Sequence, residues 1–210
     1  MLPQLPESCR FLHFGSISLL NEPAAGRILD LVEAQRGQRI VLFDPNVRPT
    51  LIPDAASYRQ RFKRWLAACD ILKFSDEDAV LLAPGLTLAD AAALFLQGDG
   101  ASAPAPRVVV VTRGGEGATL YRRGHAPIDV RPPPIVVVDT IGAGDTFAAA
   151  LSVSLLEQGV EHAPQLDALP DVAWREVLRF AATAAALNCT REGANPPTRA
   201  ELQTALQAVP

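Results

Sequence analysis

No apolar run in this sequence approaches the roughly 20 residues that a membrane span requires. The N-terminal MLPQLPESCR has no basic segment followed by an apolar stretch, so no secretory signal is read there. A cytoplasmic protein is the expectation. Cysteine is sparse: Cys9, Cys69 and Cys189 are far apart and form no CxxC pair, which points to reduced thiols in or near a core. His13, His125 and His162 are equally scattered, so no His/Cys metal site is indicated. Basic charge is also short, with 19 Lys and Arg against 23 Asp and Glu, net −4. With a pI near 5.4 and no basic stripe, nucleic acid is not expected as the main partner. What is present is ordinary globular material, 49% hydrophobic and 20% charged over 210 residues. That composition excludes a disordered solvating chain and suits one domain or two small ones.

Short β-branched runs alternate with helical patterns, which predicts βαβ units and a parallel sheet within one α/β domain spanning residues 1–210. Strands are expected at Phe11 to Gly15, Arg39 to Phe43, Ile71 to Phe74, Arg107 to Thr112 and Ile135 to Val138, with a hairpin of Ala118 to Arg123 and His125 to Val130. Helices are expected at Glu22 to Arg36, Ala55 to Ala68, Thr87 to Gln97, Asp145 to Gln158, Trp174 to Leu187 and Thr198 to Gln207. Ser75 followed by Asp78 reads as a capping box opening a further short helix. Asp99 to Pro106 and Gly159 to Pro170 read as loops.

In open parallel sheets, ligands bind beyond the carboxyl ends of the strands. Four apolar strands here stop on polar or glycine-rich segments: Asp44-Pro45-Asn46, Ser75 to Asp78, Thr112 to Gly115, and Asp139 to Asp145. If the sheet is parallel, all four share one rim. The last is the most informative, since a strand, a small-residue loop and a helix start expose unpaired amides that favour an anion such as phosphate. Asp145 beside such a cradle is either a first-turn acid that stabilises the helix dipole or a general base. Two nucleotide motifs fail here. Phe147 stands where a dinucleotide fingerprint needs its third glycine. The only lysines, Lys63 and Lys73, do not follow glycine, so there is no Walker A loop.

Asp139 to Leu151, DTIGAGDTFAAAL, closely resembles the C-terminal signature of the ribokinase-like sugar kinases, the PfkB carbohydrate kinase family. DPNVRP at Asp44 to Pro49 and KFSDEDAVLL at Lys73 to Leu82 resemble its bacterial fructokinase branch. VVVVTRGGEGATLY at Val108 to Tyr121 and CTREGANPP at Cys189 to Pro197 resemble its nucleotide and cation loops. The resemblance implies a ribokinase-like, Rossmann-like α/β fold, a mostly parallel sheet with helices on both faces. It also implies that the N-terminal strands and β-lid of full-length members are missing from this chain. It implies an ATP-dependent sugar kinase, fructokinase-like, with ATP and Mg²⁺ as cofactors and K⁺ as a possible third.

Carried over residue by residue, Asp145 matches the catalytic base and Gly142, Ala143 and Gly144 the anion hole. Arg48 is similar to an arginine near the transferred phosphate; read from the residues alone it is a surface arginine in a proline-rich turn. Thr112, Gly114 and Gly117 match the ATP-binding loop. Asp139 and the carbonyl of Ile141 match a monovalent-cation site completed by backbone near Asn188 and Gly193. Ser75 and Asp78 stand where ribokinase-type members carry an Asn and a Glu that organise Mg²⁺ through water, so Asp78 is a candidate metal-water ligand as well as a cap. Two consequences are expected of the missing part: an unprotected sheet edge, and a lid-mediated homodimer and water exclusion over the site that are both in question.

Three functions stay open on the sequence: a sugar kinase, a nucleotide-binding fragment without turnover, and a non-catalytic α/β interaction domain. Fructose is the favoured sugar, with 2-keto-3-deoxygluconate, ribose and a nucleoside ribose also open.

Overall fold

The computed structural model describes residues 2–98 and 104–208. Of the loop expected from Asp99 to Pro106, residues 99–103 lie outside the described residues. Strands β1 (Phe11–Gly15), β2 (Ile40–Asp44), β3 (Ile71–Ser75), β4 (Val108–Thr112), β5 (Ala118–Arg122) and β6 (Ile128–Val130) form one sheet in that order. The helices are α1 (Ala24–Gln35), α2 (Ala55–Ala68), α3 (Asp76–Leu82), α4 (Leu88–Gln97), α5 (Ala143–Glu157), α6 (Pro164–Ala168), α7 (Asp171–Asn188) and α8 (Arg199–Ala208). No helix among the described residues is long and apolar enough to cross a membrane.

The chain's contacts group into two compact units. The first comprises Met1–Thr112, Leu120–Pro127 and Glu161–Ala168; the second comprises Arg113–Thr119, Ile128–Val160 and Leu169–Pro210.

In the first unit, β1 to β4 are parallel, with Gly15 opposite Asp44, Leu42 opposite Ile71, and Ser75 opposite Thr112. All five residues of β2 and the four valines of β4 are buried, as expected of parallel strands covered on both faces. The helices begin where side chains satisfy their first amides. Asp54 accepts from Ala56 and Ser57 at the start of α2, and Thr87 accepts from Asp90 at the start of α4. An aromatic chain fills the core: Phe14 stacks on Phe43 at 4.7 Å, Phe43 meets Phe62 and Trp65, and Phe95 bridges Phe62 and Phe74. Each such ring contributes about 1.5–3 kcal/mol through burial. Cys69 is fully buried in this core, and burial pushes its thiol pKa well up, in keeping with a reduced structural thiol.

In the second unit, α5 packs along α7. Small residues such as Ala148, Ala181 and Ala184 let the two backbones approach, and Leu151, Leu155, Trp174 and Val177 are fully buried around them.

Two sequence expectations are corrected. Ile135 to Val138 is not a buried strand; the segment pairs with no strand, and Val136, Val137 and Val138 are 83%, 58% and 57% exposed. Pro132, Pro133 and Pro134 precede it and offer no amide donors. At its end the Val138 amide donates to the Cys189 carbonyl at 2.8 Å, a loop contact and not a ladder. The β-branched pattern therefore records a preference for burial that the described residues do not meet. Within the stretch read as loop from Gly159 to Pro170 there is a short helix, α6, which Pro164 opens at a position where a missing amide costs nothing. Its Leu166 is fully buried, and the Gln165 side chain accepts from the amides of Glu161 and His162.

Candidate active site

In the second unit, α5 starts at Ala143, two residues earlier than the periodicity implied, so Asp145 lies in its first turn. Gly142 is the N-cap, with left-handed φ 78, and no side chain caps the helix. A Cβ on Gly142 would lie 2.8 Å from the Ala194 methyl, so both conformation and space demand glycine. The Ala143 amide donates to the Thr140 carbonyl at 3.2 Å, and the Thr146 amide donates to Gly142 at 2.8 Å. Between them, the amides of Gly144 and Asp145 have no partner among the described residues. Two free donors at the positive end of a 15-residue helix are the kind of arrangement that favours an anion. The Asp145 carboxylate is exposed beside it.

The loop before this helix is fixed from the other side. Asp139 accepts from the Ile141 amide at 2.9 Å and from the Gly193 amide at 2.8 Å. Those two donors hold its carboxyl below the ordinary range. The ties it supplies are therefore present above the ordinary carboxylate range and are lost as pH falls below it. Asn188, fully buried, donates from Nδ2 to the Ile141 carbonyl at 2.8 Å and accepts from the Asn195 amide at 3.0 Å. The structure thus brings together Asp139, Ile141, Gly142, Ala143, Gly144, Asp145, Asn188 and Gly193. The Asp139 carboxylate and the Ile141 carbonyl are hard oxygens of the type that can hold a monovalent cation, and each already accepts a hydrogen bond within the loop.

A cleft of about 490 Å³ opens along the same helix, lined by Asp145, Ala149 and Val153 of α5, Phe180 and Ala184 of α7, and Arg199 of α8 among others. The Arg199 guanidinium lies 5.2 Å from the Phe180 ring centroid and pairs with Glu157. Gly114 and Gly117 sit on a tight turn in which the Gly117 amide donates to Gly114 at 3.1 Å and the Arg113 amide donates to Gly117 at 2.8 Å. Gly117 has φ 97, and a Cβ there would fall 2.0 Å from the Val130 carbonyl oxygen. Arg113 locks this turn by donating to Thr119 and, at 2.8 Å, to Asp129.

In the first unit, Asp44, Ser75 and Thr112 end β2, β3 and β4 on one parallel rim. The fourth rim position expected from the sequence has no strand behind it, because Ile135 to Val138 forms none. Thr112 donates from its hydroxyl to the Phe74 carbonyl at 3.5 Å, and Arg48 is exposed on the turn after β2. Ser75 and Asp78 form a full capping box at the start of α3. Asp78 is 4% exposed; one oxygen accepts from the Ser75 amide at 2.8 Å and the other from the Val47 amide at 2.7 Å. With both oxygens so engaged, Asp78 has a structural task, closing the capping box and tying down the Val47 amide. Among the described residues, no three His, Cys, Asp or Glu side chains cluster so as to hold a metal ion.

Sequence reading placed Asp44 at a strand end but did not pair it with Lys73. Their side chains are 5% and 3% exposed and pair at 2.8 Å. The available signal was a lysine inside the otherwise apolar strand ILKFS, together with an aspartate that closes IVLFD.

The family model for pfkB family carbohydrate kinases matches residues 3–201. The fructokinase of Rhizobium leguminosarum bv. trifolii is 36% identical over 180 residues, covering 83% of this chain and 51% of that protein. Fructokinase-2 of Solanum lycopersicum is 30% identical over 207 residues, covering 97% and 59%. Among solved structures, fructokinase with bound ATP from Xylella fastidiosa superposes with a TM-score of 0.83 at 28% identity, covering 96% of this chain and 62% of that one. Fructokinase from Vibrio cholerae O395, in fructose, ADP and calcium ion bound form, gives 0.79 at 25% identity, covering 98% and 63%. The chain therefore spans about half to three fifths of the length of these relatives, and its six-stranded sheet with helices has their ribokinase-like fold. By the family match and these relatives together, this chain belongs to the pfkB family of carbohydrate kinases.

Proposed function

We propose that the chain carries the phosphoryl-transfer machinery of an ATP-dependent sugar kinase, with fructose as the favoured acceptor. The observation that carries this reading is the start of α5: two amides without partners, a left-handed glycine behind them, and an exposed carboxylate beside them. ATP with Mg²⁺ supplies the phosphoryl group when bound. Asp145 takes the proton from the sugar hydroxyl as its oxygen becomes the nucleophile. The Gly142 to Gly144 segment and the following amide offset the charge that builds on the transferred group; fixed donors are effective here because they need no reorganisation. Arg48 is assigned to charge neutralisation at the phosphate, and Thr112, Gly114 and Gly117 to holding the nucleotide. Fructose follows from the DPNVRP and KFSDED segments and from the fructokinases among the relatives.

The test is ADP release by the purified chain with ATP, Mg²⁺ and K⁺ against hexoses, pentoses and keto-acid sugars. Release that depends on fructose supports the reading. ATP binding without sugar-dependent release identifies instead a nucleotide-binding chain without turnover. A cation at Asp139 and Ile141 adds a second expectation. Replacing K⁺ with a large organic cation lowers the rate, and Asp139→Ala removes the difference between the two salts because it frees Gly193 and Ile141 from their shared anchor. Equal K⁺ dependence in Asp139→Ala would place the cation elsewhere.

A further inference from the structure

The turn after β2 contains a conformation that the chain does not adopt freely. Asn46 has φ 38, in the left-handed region, and is one of two described non-glycine residues with positive φ. Two carboxylates hold it. Asp44 accepts from the Asn46 amide at 3.2 Å and Asp78 accepts from the next amide, that of Val47, at 2.7 Å. The following residue is Arg48, exposed, with its guanidinium donating to the Val47 carbonyl at 3.2 Å. The backbone that launches Arg48 is thus pinned at two consecutive amides.

Two buried carboxylates this close repel each other. Burial, and to a lesser degree the Asp78 charge, push the Asp44 pKa up, while Lys73 pulls it back. Lys73 Nζ, 2.8 Å from Asp44 Oδ2, is the compensating cation. A buried ion pair is weak as a source of stability, since an apolar pair of similar volume does as well or better. Its effect on the turn is the more specific consequence. Resting on the assignment of Arg48 to the phosphate made above, we propose that Lys73 is a positioning residue: paired with Asp44 and working beside Asp78, it keeps the Asn46–Val47 turn in the form that presents Arg48.

The variants are Lys73→Met, which leaves Asp44 without its paired lysine, and Lys73→Met with Asp44→Asn, a neutral pair chosen to fold where the single variant does not. Melting temperature, amide ¹H–¹⁵N shifts of Asn46 to Arg48, and ADP release with ATP, Mg²⁺ and fructose are measured beside Arg48→Ala. The double variant is expected to melt within a few degrees of the parent, to shift the Asn46 and Arg48 amides, and to lose kcat about as far as Arg48→Ala does, about a hundredfold. Adding Arg48→Ala to it should cost little more, because both changes remove one function. Unchanged amide shifts, or a further full loss on adding Arg48→Ala, would overturn the proposal. So would failure of both variants to fold, since the pair would then serve the fold and not the turn. A parent chain without turnover would defeat the kinase reading, and the Asn46 to Arg48 amide shifts of Lys73→Met, in which Asp44 is kept, would still decide the role of Lys73.

Discussion

Asp145→Asn is expected to lower fructose-dependent ADP release by about 10²–10⁴-fold, the range that a positioned general base contributes. The side chain is exposed at the open start of α5, so its change leaves the core untouched. Asparagine keeps the shape and loses the basicity. What remains is a small loss of helix-dipole stabilisation, seen as a melting-temperature change of no more than about 3 °C. ATP binding should hold or tighten slightly, because a negative charge beside an anion cradle has gone. Were Asp145 only a first-turn acid, the melting change would appear alone and turnover would be untouched.

Gly142→Ala should damage both stability and activity. The position needs φ 78, which costs an alanine about 1–2 kcal/mol, and its Cβ would press on the Ala194 methyl at 2.8 Å. Ala194 cannot swing away, since the contact is to its Cβ and, at 3.0 Å, its Cα. Overpacking of this kind adds about 1–3 kcal/mol, for a total of about 2–5 kcal/mol, read as a lower denaturant midpoint at unchanged slope. The strain can be relieved only by moving the 139–142 loop or the 193–195 loop, which are tied through Asp139 and Asn188. Either movement displaces the free amides of Gly144 and Asp145, so turnover should fall with stability. An intact midpoint in Gly142→Ala would show that the loops yield easily and that the cradle is not built as described.

Much of this architecture was legible in the sequence, for identifiable reasons. β2 and β4 announce themselves because strands buried on both faces need unbroken apolar runs. The bounds of α2 were readable because Asp54 and the residues around it encode the cap locally. The Ser75 and Asp78 capping box is equally local. Ile135 to Val138 failed for the converse reason: β-branched residues state a preference, and whether a neighbour covers them is decided elsewhere in the fold. Three prolines upstream were the contrary signal.

The site divides in the same way. Gly142 to Asp145 could be read because two glycines bracketing a helix start mark backbone that needs a left-handed turn or a close approach. The clamp of Lys73, Asp44 and Asp78 could not, because Asp44 and Lys73 are 29 residues apart in the chain and meet only when β2 and β3 lie side by side. Asp78 belongs to both cases: its bond to the Ser75 amide is the local capping box, and its bond to the Val47 amide arises only in the folded chain.

The most direct test of the central claim follows the phosphoryl group itself. The purified chain is incubated with γ-labelled ATP, Mg²⁺, K⁺ and fructose, with Asp145→Asn in parallel after circular dichroism shows both folded, and the sugar fraction is assayed for label. Label in a fructose phosphate from the parent, and at background in Asp145→Asn, is the predicted result. Equal labelling by parent and variant would contradict the assignment of Asp145 as the base, and no labelled sugar from a folded, ATP-binding parent would contradict the kinase reading of this chain.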